Sequence, residues 1–177
     1  MKQVKIDKSK GIFFYIQGLS GSGKTSIGKK LKKNIEKKYG PTLFFNGDNL
    51  RKIFKLYDYS YKGRISNIEK FLKFSKFVTN QKINIILTVV GMMEGPRKWN
   101  KKNIKNYLEI YIKADIKKII KLKKKLIYRK NKKKNIVGLS ILPEFPKNPN
   151  ITIKNNFKDS IELLSQRLFK KIKFIIK

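Results

Sequence analysis

A glycine-rich segment near the start of the chain has the clearest chemical pattern. Residues Gly18-Leu19-Ser20-Gly21-Ser22-Gly23-Lys24-Thr25 match the spacing G-x-x-x-x-G-K-[ST]. In this pattern the glycines let backbone N–H groups turn inward around a phosphate, and the lysine reaches the β- and γ-phosphates of a nucleoside triphosphate. The hydroxyl of Thr25 has the position of a Mg²⁺ ligand. The pattern predicts a site for ATP and Mg²⁺, formed by Gly18, Ser20, Gly21, Ser22, Gly23, Lys24, Thr25 and Ser26.

A second polar cluster, Asn46-Gly47-Asp48-Asn49-Leu50-Arg51, follows the next apolar run. A carboxylate at Asp48 could accept a proton from an acceptor hydroxyl or hold a water on Mg²⁺, and Arg51, one helical turn later, could pair with a substrate phosphate. The same residues also suit an ordinary turn that ends in a helix cap. From the residues alone, both interpretations stay open.

The composition restricts the available chemistry. The chain has no Cys and no His, which excludes disulfides, thiolate metal sites, Cys nucleophiles and the commonest general base. Acid–base chemistry must therefore rest on carboxylates or Lys. Phosphoryl transfer suits this composition, because it depends mostly on positioning and on neutralising negative charge.

The charge of the chain points in two directions. Lys and Arg number 45 against 11 for Asp and Glu, so the formal net charge is +34. This charge suggests an alternative class, a nucleic-acid-associated protein that uses ATP only as a ligand. However, only five of the basic residues are Arg, and the abundant Lys, Ile and Asn are typical of an AT-rich genome. No RNA-recognition fingerprint is present, so we expect no specific nucleic-acid partner.

The apolar pattern alternates between strand and helix periods along the chain. Strands are predicted at residues 12–16, 42–45, 83–90, 107–112 and 151–153, with 83–90 at the centre of the sheet. Helices are predicted at residues 25–38, 50–56, 65–80, 115–126 and from 161 onward, with another opening at Gly95-Pro96. Residues 57–63 are predicted as a loop. Residues 127–149 are predicted as a lid that does not join the core.

This alternation predicts an α/β protein with the three-layer P-loop NTPase fold, in which a parallel sheet of about five strands has helices on both faces. With 177 residues, we expect one domain over residues 1–177. The first residues lack the apolar core of a signal peptide, and no apolar run reaches the length of a membrane span. We therefore expect a cytoplasmic protein with no membrane partner, and a homodimer is left open.

Several motifs together resemble the adenylylsulfate kinase family. GLSGSGKT is followed by FFNGDNLR, which is similar to the family motif DGDN-x-R, and Arg64-Ile65-Ser66-Asn67 is similar to R-x-x-N. Farther along, Leu126-Ile127-Tyr128-Arg129-Lys130 is similar to the basic flap G-L-Y-x-K. Gly138 with Pro146-Lys147-Asn148-Pro149 is similar to G-x-x-x-x-Y-E-x-P-x-N-P. The resemblance covers about residues 11–153.

The resemblance implies transfer of the ATP γ-phosphoryl group to the 3′-hydroxyl of a small nucleotide acceptor, adenosine 5′-phosphosulfate. It implies that Asp48 lies near the acceptor hydroxyl and acts with Lys24 in catalysis. It also implies that Arg51, Arg64 and Asn67 bind the acceptor, and that Lys130 lies over the phosphates.

The chain also departs from the family pattern. Asn46 replaces the first Asp of the second motif, which leaves open a degenerate kinase with a regulatory role. The two Phe that sandwich the acceptor adenine are replaced within Val90-Gly91-Met92-Met93 and Ile136-Val137-Gly138. The segment 92–100 is similar to homologues from surface-polysaccharide biosynthesis. Cytidine diphosphoramidate is therefore the alternative acceptor.

Overall fold

The computed structural model describes residues 3–122 and 135–176. Within these residues, parallel strands form one sheet in the order β2-β3-β1-β4-β5. The strands are β1 (Phe13–Gln17), β2 (Thr42–Asn46), β3 (Asn84–Val89), β4 (Tyr107–Lys113) and β5 (Ile151–Lys154). The predicted parallel sheet is confirmed, but its centre is β1. Strand β3 lies one place away, between β2 and β1.

Helices follow the strands in alternation. They are α1 (Lys24–Tyr39), α2 (Gly47–Ile53), α3 (Tyr61–Thr79), α4 (Glu94–Asn103), α5 (Ile116–Lys121) and α6 (Ile161–Ile175). Among the described residues, none of these helices combines the length and the apolarity that a membrane span requires.

The two faces of the sheet are covered by different helices. Phe14 and Ile16 of β1 pack with apolar residues of α1 and α6, whereas Phe13 and Tyr15 pack with α3. Successive side chains of a strand point to opposite faces, so a fully buried strand is apolar at almost every position. The P-loop NTPase architecture with helices on both faces is thus confirmed.

Two helix starts differ from the sequence prediction because polar side chains cap the helices earlier than the apolar period begins. The Asn46 side chain accepts a hydrogen bond from the Asn49 N–H (2.8 Å), and α2 begins at Gly47, three residues before the predicted start. The Ser60 hydroxyl accepts a hydrogen bond from the Gly63 N–H (3.0 Å), and α3 begins at Tyr61, inside the predicted loop. Such caps satisfy N–H groups that have no partner within the helix.

The lid prediction is wrong for two residues of the described part. Ile136 and Val137 are buried and pack with Leu19, Met92 and Tyr111, so this part of the segment belongs to an apolar cluster. The end of the predicted helix 115–126 and the first part of the lid, including Lys130, lie outside the described residues.

Candidate active site

A cavity of about 810 Å³ opens where the glycine-rich segment meets the carboxyl ends of the strands. Ligands of open α/β sheets bind at this edge. Most of the predicted site residues line this cavity. They are Ser20, Gly21, Gly23, Lys24, Thr25, Ser26, Asp48, Arg51 and Arg64.

The glycine-rich loop delivers the chain to the first turn of α1. Gly23 has a φ of 89°, in the left-handed region that favours glycine, and α1 begins at Lys24. The Lys24 side chain is buried, and its ammonium group donates a hydrogen bond to the Leu19 carbonyl (3.1 Å). Thr25 and Ser26 are exposed at the cavity. The N–H groups and dipole of a helix N-terminus favour a bound phosphate at this position.

Two residues of the predicted loop, Gly18 and Ser22, do not line the cavity. A Cβ on Gly18 would meet the Ile112 carbonyl oxygen at 2.7 Å, so Gly18 allows close packing against β4. Ser22 is completely buried, and its carbonyl accepts a hydrogen bond from the Asn155 side-chain amide (3.0 Å). Asn155 follows β5 and lines the cavity. It therefore fixes the glycine-rich loop to the end of another strand.

Asp48 and Arg51 face the cavity from α2. The Asp48 carboxylate is 75% exposed and forms an ion pair with the Arg51 guanidinium, whose side chain is only 19% exposed. Asn46 caps α2, which confirms the turn and helix cap, whereas the catalytic role of Asp48 stays a prediction. The turn ends in a helix cap, and it also places a carboxylate at the cavity.

Two arginines share one aromatic ring at the far side of the cavity. The guanidinium carbons of Arg51 and Arg64 lie 5.3 Å and 5.5 Å from the centre of the Tyr59 ring. Arg64 also donates hydrogen bonds to the carbonyls of Tyr59 (2.9 Å) and Asn135 (2.8 Å). Burial lowers the pKa of Arg64, and the nearby charge of Arg51 lowers it further. An anionic ligand beside both guanidiniums would relieve their mutual repulsion.

Asn67 shapes the same region from beneath. Its side-chain amide donates a hydrogen bond to the Asp58 carbonyl (3.0 Å), which supports the loop that carries Tyr59. The Ser60 N–H donates to the Asp58 carboxylate (2.8 Å) and lowers the pKa of that group. Asn67 lines a smaller cavity of about 30 Å³, which shares Arg51, Tyr59 and Arg64 with the main one.

Besides Arg51, Arg64 and the aromatic rings of Tyr59 and Phe71, the walls of this smaller cavity include aliphatic and thioether side chains. They are supplied by Val89, Val90, Met92, Met93 and Val137. The structure therefore brings the two replaced segments of the family pattern together at one pocket, without an aromatic side chain from either of them.

The polar groups of the cavity fit a cation that arrives with a nucleotide. The described residues contain no group of three His, Cys, Asp or Glu side chains that could hold a metal ion alone. Among the described lining residues, Asp48 is the only carboxylate, and Thr25 and Thr88 offer hydroxyls. Mg²⁺ commonly keeps several waters and is held by one or two protein groups together with substrate phosphates.

The lining or supporting residues that were not predicted from the sequence include Thr88, Glu144, Asn155 and Phe157. Thr88 has a recognisable signal, since it is a polar residue near the end of an otherwise apolar run. Asn155 likewise follows a strand and so belongs to the same sheet edge. Glu144 stands at the E of the motif G-x-x-x-x-Y-E-x-P-x-N-P, so the resemblance carried a signal for it. Phe157 carries no such signal, because its position depends on how distant segments return to the site.

Glu144 joins three segments around the acceptor side of the cavity. Its carboxylate accepts hydrogen bonds from the Tyr61 hydroxyl (3.0 Å) and from the N–H of Glu94, the first residue of α4. Its backbone N–H donates to the Met92 carbonyl (2.9 Å), and its carbonyl accepts from Arg97 (2.8 Å). This part of the predicted lid is thus attached to the starts of α3 and α4.

We expect Glu144→Ala to lower the free energy of unfolding by about 1–2 kcal/mol, because a helix cap and a side-chain hydrogen bond are lost. Chemical denaturation measures this change. The matched control is Glu94→Ala, which removes an exposed carboxylate paired with Lys98 (3.3 Å) and should change stability by less than about 0.5 kcal/mol. Equal stability of Glu144→Ala and the native chain would contradict the joining role.

Gly91 shows how tightly the wall of the smaller cavity is packed against β1. A Cβ at this position would collide with the hydroxyl of Tyr15, a completely buried residue. We expect Gly91→Ala to cost about 1–3 kcal/mol of stability, as overpacked sites do. Because Tyr15→Phe removes the hydroxyl, the double variant should recover part of the loss in a denaturation experiment. No recovery in the double variant would contradict this explanation.

Known proteins of one enzyme family are similar to this chain over most of its length. The family model described as adenylylsulphate kinase matches residues 10–154. A cytidine diphosphoramidate kinase from Campylobacter jejuni is 35% identical over 167 residues, which cover 91% of this chain and 98% of the relative. An adenylyl-sulfate kinase from Clostridium acetobutylicum is 31% identical over 164 residues, which cover 89% of this chain and 81% of the relative.

A solved structure supports the fold. The APS kinase of Mycobacterium tuberculosis, in complex with AMPPNP and APS, superposes with a TM-score of 0.79 at 20% identity. The match covers 93% of this chain and 98% of that one. With the family model covering most of the chain and two relatives above 30% identity, the chain belongs to the adenylylsulphate kinase family and is an ATP-dependent kinase.

Proposed function

We propose that this kinase transfers the γ-phosphoryl group of Mg·ATP to the ribose 3′-hydroxyl of a cytidine nucleotide, with cytidine diphosphoramidate as the acceptor. The observation that carries this proposal is the continuity of one cavity. The glycine-rich loop, Asp48 and the arginine pair at Tyr59 all line it. A phosphoryl donor and an acceptor bound in one cavity have the proximity that the transfer requires.

On the donor side, the chain supplies a phosphate cradle and its charge. The amides of the glycine-rich loop and the Lys24 ammonium neutralise the phosphate oxygens as charge spreads during transfer. The Thr25 hydroxyl would help to hold Mg²⁺, which would supply further charge neutralisation when bound. Phe157 and Ile161 give the same cavity an apolar wall beyond the loop, which suits the base of ATP.

On the acceptor side, the carboxylate and the arginines have separate roles. Asp48 accepts the proton of the attacking hydroxyl, since the cavity offers no other described carboxylate and the chain has no His. Arg51 and Arg64 bind the phosphate groups of the acceptor through charge-assisted hydrogen bonds. Asn67 holds the loop that carries Tyr59. We therefore assign Asn67 a supporting role, whether or not it also contacts the acceptor directly.

The choice of a cytidine acceptor rests on the walls of the smaller cavity. The side chains that the two replaced segments contribute, among them Val90, Met92 and Val137, have no aromatic ring, and the rings that line this cavity come from Tyr59 and Phe71 instead. The match with the relative from Campylobacter jejuni covers 98% of that protein, which is named as a cytidine diphosphoramidate kinase. The proposal therefore departs from adenosine 5′-phosphosulfate, the acceptor that the sequence motifs favoured.

Adenosine 5′-phosphosulfate is the second candidate acceptor. It is supported by the adenylylsulphate kinase family model and by the relative from Clostridium acetobutylicum. The arginine pair would serve either acceptor, because both carry anionic phosphate groups. The acceptor would also decide the pathway, which is sulfate activation for one compound and polysaccharide modification for the other.

A panel assay tests the proposal. The purified chain is incubated with Mg·ATP and either cytidine diphosphoramidate or adenosine 5′-phosphosulfate, with CDP, AMP and no acceptor as controls, and ADP release is followed. We expect the largest kcat/KM with the cytidine compound. Turnover with adenosine 5′-phosphosulfate alone would overturn the choice of base and leave the kinase mechanism standing. If no compound gave turnover above the background ATPase, the proposal that a nucleotide is the phosphoryl acceptor would be overturned.

Three broader expectations belong to the same proposal. The chain acts as one domain over residues 1–177, works in the cytoplasm and uses its positive charge for small anionic substrates rather than for nucleic acid. Affinity for DNA or RNA should therefore be lost near physiological ionic strength, because nonspecific binding falls steeply with salt. Whether the chain forms a homodimer is left open, and light scattering measures its oligomeric state.

A further inference from the structure

Thr88 is a buried polar residue at the edge of the sheet that forms the site. It lies near the end of β3, paired in register with Ile16 of β1 and Asn46 of β2. Its residue surface is only 1% exposed, yet it is among the residues that line the large cavity. Lys24 and Thr25 of the glycine-rich loop line the same cavity.

The two branches of the Thr88 side chain have different surroundings. The methyl group packs against α1, since a Cβ added to Gly28 would meet it at 2.7 Å. The hydroxyl has no hydrogen-bond partner among the residues that the structure describes. A buried hydroxyl without a partner is costly, whereas valine would fill the same space without that cost. The packing therefore accounts for the methyl group and leaves the hydroxyl unexplained.

The phosphate end of a bound nucleotide would account for the hydroxyl. P-loop NTPases commonly place an Asp as a second protein group at the Mg²⁺ ion, beside the Ser or Thr of the loop. Strand β3 carries no Asp or Glu. Asn46, which is paired with Thr88 in the sheet, uses its side-chain oxygen to cap α2. Thr88 is therefore a polar group at this edge for which the described part of the chain supplies no hydrogen-bond partner.

Building on the proposed function, we propose that the Thr88 hydroxyl is a binding contact for the phosphate–Mg²⁺ end of the nucleotide. A hydroxyl can donate to a phosphate oxygen or accept from a metal-bound water, and both contacts belong to the same ligand group. Thr88 is a positioning residue, because it holds the nucleotide and takes no proton in the transfer.

Nucleotide binding without an acceptor tests this role. Calorimetry measures ADP affinity, with Mg²⁺ and with EDTA, for the native chain, Thr88→Val and Thr88→Ser. We expect Thr88→Val to weaken Mg·ADP binding about tenfold or more, as loss of a hydrogen bond to a charged group does. Thr88→Ser keeps the hydroxyl and should stay within about threefold of the native chain. A defect that persists in EDTA identifies the phosphate oxygen as the partner, and one confined to Mg²⁺ identifies the metal-bound water.

Thermal unfolding separates binding from a merely structural role. If the hydroxyl acts on the ligand, Thr88→Val should keep or raise the Tm without ligand and show a smaller Tm increase with Mg·ADP. An unchanged ligand-induced increase, with affinity within about twofold of the native chain, would overturn the proposal. If Thr88→Val does not fold, Thr88→Ala is judged by the same affinity limits. A native chain that binds no Mg·ADP would instead overturn the proposed function.

Discussion

Replacing Lys24 by alanine is expected to reduce turnover by about 10²- to 10³-fold, the usual loss when one group that stabilises transition-state charge is removed. Lys24 is buried at the start of α1 and lines the cavity, so its ammonium group meets phosphate charge in a partly water-excluded site. Its hydrogen bond to the Leu19 carbonyl places it beside the loop before any ligand binds. ADP release in the presence of acceptor measures the effect.

A matched surface lysine separates this effect from a general change of charge. Lys30 lies on the same helix, with its side chain 59% exposed and paired with Glu162 (2.8 Å). Lys30→Ala removes an equal charge and should leave turnover nearly unchanged. Circular dichroism confirms that both variants fold. If Lys24→Ala kept turnover within about tenfold of the native chain, the charge-stabilising role of Lys24 would be wrong.

Asp48→Asn is expected to lower kcat by about 10²-fold or more and to leave ATP affinity nearly unchanged, because general-base catalysis contributes about 10²- to 10⁴-fold. The substitution keeps the size of the side chain and an oxygen that can accept a hydrogen bond from Arg51. It therefore removes mainly the negative charge. Steady-state kinetics with varied acceptor, together with calorimetry for ATP, separate the two quantities.

Two further variants separate a role of Asp48 in proton transfer from a general loss of negative charge and from positioning of Arg51. Glu36→Gln removes an exposed carboxylate that binds Lys32 (2.8 Å) far from the cavity, and its kinetics should match those of the native chain. Arg51→Ala should raise the acceptor KM more than it lowers kcat, since Arg51 is assigned to binding. If Asp48→Asn and Arg51→Ala both changed only KM, Asp48 would act by positioning Arg51. Unchanged turnover in Asp48→Asn would remove its role entirely.

The glycine-rich loop and the parallel sheet were predictable from the sequence because both depend on local patterns. Glycine spacing sets the loop, and an apolar run followed by a helical period sets the strand before it and the helix after it. The same logic correctly placed Asp48 at the cavity, since side chains that follow parallel strands gather at one edge of a sheet.

The features that the sequence did not predict depend on contacts across long distances in the chain. Asn155 reaches Ser22 over 133 positions, and Glu144 reaches Tyr61 over 83. The periodicity of apolar residues within a short segment gives no information about contacts between residues so far apart in the chain. The early start of α2 was missed for another reason, since Asn46 fits a turn and a cap equally well until the helix is seen.

The pairing of Asp48 with Arg51 also could not be read from their spacing alone. Residues three apart on a helix can interact, yet each can also point to a ligand instead. The structure has them paired with each other at the cavity edge. An incoming acceptor phosphate would compete with Asp48 for Arg51, and this competition would free the carboxylate near the acceptor hydroxyl.

The fate of the γ-phosphate tests the central claim most directly. ATP carrying a radioactive γ-phosphate is incubated with the native chain, Mg²⁺ and cytidine diphosphoramidate, and the nucleotides are separated and analysed by mass spectrometry and NMR. We expect the label to be recovered on the ribose 3′-oxygen of the acceptor, and we expect Lys24→Ala and Asp48→Asn to reduce its transfer strongly. Label that appears only as inorganic phosphate, with every acceptor of the panel, would contradict the central claim.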